Sequence, residues 1–173
     1  GFITMSEKVL ADLDLFSTKN KKKKFIPHPL YDNFGDIMSK SEAKEHLNLN
    51  KDDSYLLFFG FIRKYKGLDL LLHAMKMIQN PSLKLIIAGE FYEDAQPYLK
   101  LIDELKLVDR VILKTSFITD SEVKYYFCAS DLVVQPYKSA TQSGVTPLAY
   151  HFEIPMVVTN VGGLTAMVPD GEV

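Results

Sequence analysis

The chain has 173 residues, a formal net charge of −2 and 47% hydrophobic residues, which suits one globular domain with a piece of a neighbour. Charge this close to neutral excludes a nucleic-acid binder held by a broad basic face. A single cysteine, Cys128, excludes a disulfide framework or a cysteine-based zinc site. No apolar run approaches the ~20 residues of a membrane span and no secretory signal pattern is evident, so the expectation is a cytoplasmic protein.

The first fifty residues differ in texture from the rest. Ser6 to Phe16 predicts a helix, Lys19 to Lys24 a polar basic linker, and Phe25-Ile26 a short strand ending at Pro27-His28-Pro29. His28, between two prolines, reads as a linker residue. The lysine run reads as solvated; the rival reading is peripheral contact with anionic lipid at the inner face of a membrane, where each basic residue adds about 1 kcal/mol. Ser39 with Glu42 three residues on is a capping box that opens a short helix through Leu47. A start at Gly1 and an end without a closing helix lead us to expect residues 1–30 to be the tail of a preceding domain plus linker, and 31–173 a second domain cut short at its C-terminus.

From Tyr55 onward strands and helices alternate. Tyr55–Phe59, Leu83–Ala88, Val111–Leu113, Leu132–Gln135 and Met156–Thr159 are short apolar runs without strict alternation, as parallel strands covered on both faces require. Leu68, Leu71, Leu72 and Met75 make a helical stripe, with Asp69, His73 and Lys76 on its wet side. Tyr98, Leu101, Ile102 and Leu105 make the next, opened by Pro97. Thr119 with Glu122 is a second capping box, before Val123, Tyr126 and Phe127. Cys128, Tyr125 and Tyr126 read as packing. The alternation predicts an α/β fold, a doubly wound Rossmann-like parallel sheet.

Two of the predicted strand ends carry the chemistry. Gly60-Phe61-Ile62-Arg63-Lys64-Tyr65-Lys66-Gly67 follows the first strand, and Ala140-Thr141-Gln142-Ser143-Gly144-Val145 follows Leu132–Gln135. A strand-to-helix turn points free amides and the positive end of a helix dipole above the sheet. Gly60 would let a ligand approach the backbone, and Gly67 would relieve crowding at the helix start. Arg63 offers a planar fork for two phosphate oxygens and Lys66 a point charge, while Lys64 reads as solvated. In the second turn Thr141, Gln142 and Ser143 can add side-chain bonds beside Gly144; ordinary capping by Thr141 or Ser143 is the rival reading. The first turn has neither the Gly-Lys-Ser/Thr of a P-loop nor the G-x-G-x-x-G of a dinucleotide fold. The pair points to a phosphate-bearing guest, a nucleotide or nucleotide sugar. His73 and His151 suggest no catalysis, and no His/Asp/Glu spacing suggests a metal.

In order along the chain stand Gly60-(x)5-Lys66-Gly67-Leu68-Asp69-Leu70-Leu71, Leu85-Ile-Ile-Ala-Gly89, Asp109-Arg-Val111, Phe117-Ile118, Ala129-Ser-Asp-Leu-Val133 and Pro155-Met-Val-Val-Thr-Asn-Val-Gly-Gly-Leu164. From Tyr55 to the end this resembles the C-terminal, donor-binding domain of glycosyltransferase family 4, of the GT-B fold. The resemblance implies transfer of a glycosyl group from a nucleotide-diphosphate sugar, with retention, no cofactor and no metal, in polysaccharide or related biosynthesis. It assigns Lys66 and Arg63 to the leaving diphosphate, Gly89 and Glu90 to the donor cleft, and Phe117 and Ile118 to the base. Many relatives place the arginine directly after the glycine, where this chain has Phe61. The acceptor, carbohydrate or lipid-linked, would bind an N-terminal domain absent from this sequence, leaving the fragment inactive alone.

The largest departure from the family lies in the fourth turn. Two glutamates seven residues apart are common there, near the donor sugar and the ribose; the corresponding positions are Ala140 and Leu148. Neither side chain accepts a hydrogen bond. This keeps open a non-catalytic nucleotide-binding or interaction module built on the same fold, and no catalytic residue beyond the phosphate cations is assigned. A phosphorylase or epimerase sharing the cleft is a further enzymatic alternative.

Overall fold

The computed structural model describes residues 1–16, 20–27, 29, 31 and 33–169; Lys19 and His28 of the expected linker lie outside them. Five parallel strands form the main sheet: β3 (Ser54–Phe59), β4 (Leu83–Ala88), β5 (Val111–Lys114), β6 (Leu132–Gln135) and β7 (Met156–Val158), in the order β5-β4-β3-β6-β7. Helices α2 (Lys40–His46), α3 (Leu68–Met77), α4 (Gln96–Glu104), α5 (Asp120–Ala129), α6 (Val145–His151) and α7 (Leu164–Met167) accompany it. All five strands stand where the apolar runs predicted them.

The two-residue period of each strand divides the core in two. Tyr55, Leu57, Ile86, Ala88 and Val133 point to one face, packed with Val123 and Phe127 of α5 and Leu148 of α6. Leu56, Phe58, Leu85 and Ile87 point to the other, under Leu68, Leu72 and Met75 of α3 and Ile102 of α4. A sheet covered on both faces needs no polar alternation, which explains the continuous apolar runs. Cys128 and Tyr126 are buried in the first cluster, as expected. Both capping boxes form: Ser39 and Glu42 close on each other at the start of α2, and Thr119 and Glu122 at the start of α5.

Long-range polar contacts fasten the outer elements. Asp131 accepts the Tyr55 amide at 2.7 Å and the Lys40 ammonium at 2.6 Å, tying α2 to the N-terminal edge of the sheet. Arg110 donates to the carbonyls of Leu83, Met75 and Ile78, joining the end of α3 to the start of β4.

The N-terminal segment departs from expectation. The helix is shorter, α1 (Glu7–Asp12) followed by a 3-10 turn through Leu15. The strand begins earlier: β2 (Lys23–Phe25) pairs in parallel with β1 (Phe2–Thr4), which carries no sequence signal of its own. The linker reading therefore fails at Lys23 and Lys24. Lys23 and Lys24 stand in register with Phe2 and Ile3, and the Lys23 ammonium pairs with Asp14, so charge does not keep them out of the ladder.

Candidate functional site

The site is built on the C-terminal ends of β3, β4 and β6. At the end of β3 the chain turns at Gly60 (φ +88°), and the end of β4 turns at Gly89 (φ +130°). A Cβ on Gly89 would stand 2.5 Å from the Gly60 carbonyl oxygen, so the two strand ends meet backbone to backbone. Gly67 adopts φ +69° as it opens α3, and a Cβ there would stand 2.0 Å from the Pro136 carbonyl oxygen. Both conditions admit only glycine. The sequence reading of Gly67 as relief from crowding is met by a specific neighbour.

Between these glycines the chain makes a 3-10 turn, Lys64–Lys66, which folds Lys66 back under the strand end. Lys66 is 8% exposed. Its ammonium donates to the Phe59 carbonyl at 3.4 Å, and a Cβ on Gly60 would lie 3.0 Å from it. Thus the first approach that Gly60 allows is that of Lys66 itself. Burial, and secondarily the Arg63 charge, pulls the ammonium down to about 8. Among the described residues no carboxylate pairs with it, and an unpaired cation in so dry a place is costly.

Arg63 lies elsewhere in the turn. Its guanidinium stacks over the Tyr92 ring at 3.8 Å from the centroid, and Phe61 packs edge-on to the same ring. Tyr92 sits just beyond β4, beside Phe91, which bridges to Ile62. Arg63 is therefore parked on an aromatic face, within electrostatic reach of Lys66. Lys64 is a surface residue paired loosely with Glu93 at 3.6 Å. Glu90 contributes its carbonyl to the Ile62 amide at 2.8 Å.

The second turn is organised around hydroxyls. The Ser143 Oγ accepts the Val145 amide at 3.2 Å and meets the Tyr137 hydroxyl at 3.2 Å. Ser143 stands one residue before the N-cap, Gly144, which has no side-chain cap. This is therefore a serine turn rather than the expected capping, and it occupies the first amide of α6. Gly144 adopts φ −72°, which any residue tolerates. Gly162 and Gly163 press on the turn from behind: Cβ atoms there would stand 1.6 Å from the Ala140 carbonyl oxygen and 2.1 Å from that of Thr141. Thr141 is exposed and Gln142 half-buried. Thr141 also lines a cavity of about 520 Å³ shared with Phe25, Pro147, Tyr150 and Gly163. Leu148, where the resemblance would put the second glutamate, is buried in the core.

The residues expected to cradle a base stand in the β5–α5 loop. Phe117 is 69% exposed, and Ile118 packs against the α5 face of the core. The structure thus brings together Gly60, Lys66 and Gly89, sets Arg63 beside them, and reaches Ser143 through Tyr137. Tyr92 and Tyr137 went unnoticed in the sequence reading. Their only signal was an aromatic just beyond a strand end. Among the described residues no three His, Cys, Asp or Glu side chains gather as a metal site would need.

Residues 39–173 match the family described as glycosyl transferases group 1. The chain belongs to that family. It is 33% identical over 104 residues to a GDP-mannose:glycolipid 4-beta-D-mannosyltransferase of Xanthomonas campestris pv. campestris, covering 59% of this chain and 29% of that protein. It is likewise 33% identical over 137 residues to a D-inositol 3-phosphate glycosyltransferase of Mycolicibacterium smegmatis, covering 77% and 31%. Among solved structures, Anabaena HepE in complex with UDP and glucose superposes with a TM-score of 0.84 at 21% identity, over 98% of this chain and 46% of that one. The chain spans less than half the length of each of these proteins.

Proposed function

We propose that this chain is the donor-binding, C-terminal domain of a retaining glycosyltransferase of family 4, and that the paired turns hold the diphosphate of a nucleotide sugar. The observation that carries the reading is Lys66, buried at the end of β3 with a carbonyl as its hydrogen-bond partner. An ammonium so placed gains most from a multivalent anion delivered above the sheet. As the glycosidic bond breaks, charge grows on the departing diphosphate, and Lys66 stabilises it where it forms. Arg63 leaves the Tyr92 face to add its fork to the same group. Gly89 and Glu90 border the donor, and Phe117 and Ile118 flank the base. Thr141 and Gln142, with backbone groups, replace the missing glutamates. No metal or cofactor is required in this scheme, because the cations supply the charge.

The named relatives support the donor class: one uses GDP-mannose in its name, and HepE was solved with UDP and glucose. The acceptor, a carbohydrate or lipid-linked glycan, would meet an N-terminal domain, so the chain alone should bind donor without turning it over. A second reading, a nucleotide-binding module without transfer, is favoured by Ala140 and by Leu148 lying in the core.

The test is thermal stabilisation of the chain by UDP, GDP, ADP and their sugar conjugates, repeated with Lys66→Ala. A ligand at a hundred times its Kd stabilises by about 2.7 kcal/mol. A shift for one base that vanishes in the variant is expected. No shift with any nucleotide sinks the donor reading. Equal affinity for bare nucleotide and sugar conjugate, with no transfer by the longer protein, selects the second.

A further inference from the structure

The two turns are joined by a segment that the donor reading does not use. Beyond β6 the chain runs back over the first turn: the Pro136 carbonyl fills the space above Gly67, and the Lys138 amide donates to the Tyr65 carbonyl at 2.7 Å. The Lys138 ammonium pairs with Asp69 at 2.7 Å. Between these anchors sits Tyr137, 3% exposed. Its carbonyl accepts the Thr159 hydroxyl at 2.5 Å, and Tyr65 packs edge-on against its ring at 5.9 Å.

Both polar features of Tyr137 face the candidate site. The Lys66 ammonium lies 5.7 Å from the ring centroid, and the hydroxyl reaches Ser143 in the other turn. A ring face attracts an ammonium through its quadrupole, and the attraction grows as water is excluded. Burial pushes the phenol up to about 12, so it keeps its proton and can serve the Ser143 hydroxyl across the ordinary pH range.

We propose that Tyr137 is a positioning residue that couples the two turns, carrying Lys66 on its ring face and orienting the Ser143 hydroxyl through its phenol, so that an anion held at one turn is felt at the other. The inference rests on the reading of the paired turns as a diphosphate site. A rigid ring between a cation and a hydroxyl fixes their separation, which a diphosphate senses and a single phosphate does not.

The experiment is calorimetric titration of UDP and inorganic pyrophosphate into the wild-type chain, Tyr137→Phe and Tyr137→Leu. Lys66→Met and Ser143→Ala are added singly and together, in the wild type and in the Tyr137→Leu background. Tyr137→Leu should weaken UDP about tenfold and Tyr137→Phe about threefold. The Lys66 and Ser143 changes should be non-additive by about threefold in the wild type and additive once the ring is gone. Additivity in the wild type, or unchanged affinity in Tyr137→Leu, overturns the proposal.

A readout without ligand is the NMR titration of the Lys66 side chain. Leucine keeps the apolar wall but loses the ring face, so the midpoint should fall in Tyr137→Leu and hold in Tyr137→Phe. An unmoved or raised midpoint overturns the ring contact. Should the leucine variant not fold, the near-isosteric Tyr137→Phe combined with Ser143→Ala decides: the double change should cost no more than either single one, and additivity refutes the coupling. If the wild type binds neither probe, the donor reading is lost. The titration then decides Tyr137 alone, a lowered midpoint supporting it and an unmoved one refuting it.

Discussion

The turn after β3 and the turn after β6 close the same edge of the sheet by opposite means. The first is built on forbidden space: Gly67 in the left-handed region beneath a carbonyl, and Lys66 buried with a full charge. The second is built on neutral bonds: an ordinary backbone at Gly144, a serine hydroxyl on the Val145 amide, and a phenol. One stores unfavourable charge, which on the proposed reading a guest would relieve; the other offers directed hydrogen bonds already partly used. The contrast teaches that two helix starts are not two copies of one anion site. Affinity should reside in the first and orientation in the second.

The largest test of that difference is steric. Gly67→Ala should destabilise the fold by about 3–5 kcal/mol, because the new methyl meets backbone that cannot yield and a positive φ at once. Gly144→Ala, whose nearest foreign atom is the Tyr31 hydroxyl at 3.6 Å, should stay within about 0.5 kcal/mol. Urea unfolding of both variants decides, and similar losses would break the comparison.

Next in size is charge. Lys66→Met should lower nucleoside-diphosphate affinity about 100-fold while raising stability by about 1–3 kcal/mol, since a buried cation gives way to an apolar chain of similar length. Calorimetry and thermal unfolding of one preparation measure both. Loss of binding with loss of stability would mean that Lys66 is structural.

The same lysine gives the molecule a pH dependence. Its folded value, about 8, lies below the unfolded 10.5, so between those values the unfolded chain binds more protons and stability rises with pH. The gap corresponds to roughly 3 kcal/mol at most, fully lost below about pH 8. A bound diphosphate favours the charged form, so binding should take up a proton near pH 8 and weaken as pH rises above it. Among the described residues, the Arg63 charge, the Phe59 carbonyl and the Tyr137 ring act on the ammonium. Titrations at pH 7, 8 and 9 check the sign, and Lys66→Met should flatten both curves.

The smallest effect belongs to Arg63. Tyr92→Ala removes its aromatic rest at 3.8 Å and should change diphosphate affinity by about two- to fivefold. Tyr92→Phe should leave it unchanged. An effect as large as that of Lys66→Met would make Arg63 the principal cation.

Sequence alone identified the five strands, both capping boxes and the two turns, because those features are written locally in apolar runs and in spacings of three residues. It located Lys66 and Gly67 for the same reason. It passed over Tyr92 and Tyr137, whose significance depends on strands brought together across many residues: Tyr137 matters because β6 lies beside β3. It also missed β1, since three residues beside a small partner strand have no period to read. Lys23 and Lys24 misled because composition spoke louder than pairing. Leu148 shows the reverse: its apolar side chain already announced the core position it occupies.

The Lys40–Asp131 contact has a consequence for the order in which the chain assembles. Helix α2 carries its own start signal and can form within its own turn of sequence. Its anchor, however, lies 91 residues away just before β6, where Asp131 also holds the Tyr55 amide. The expectation is that the helix is fastened late, after the central strands have paired. A contact made on the native side of the barrier should, when cut by Lys40→Ala, speed unfolding and leave the refolding rate nearly untouched. Stopped-flow kinetics would show the opposite, slowed refolding, if α2 docked as part of the nucleus.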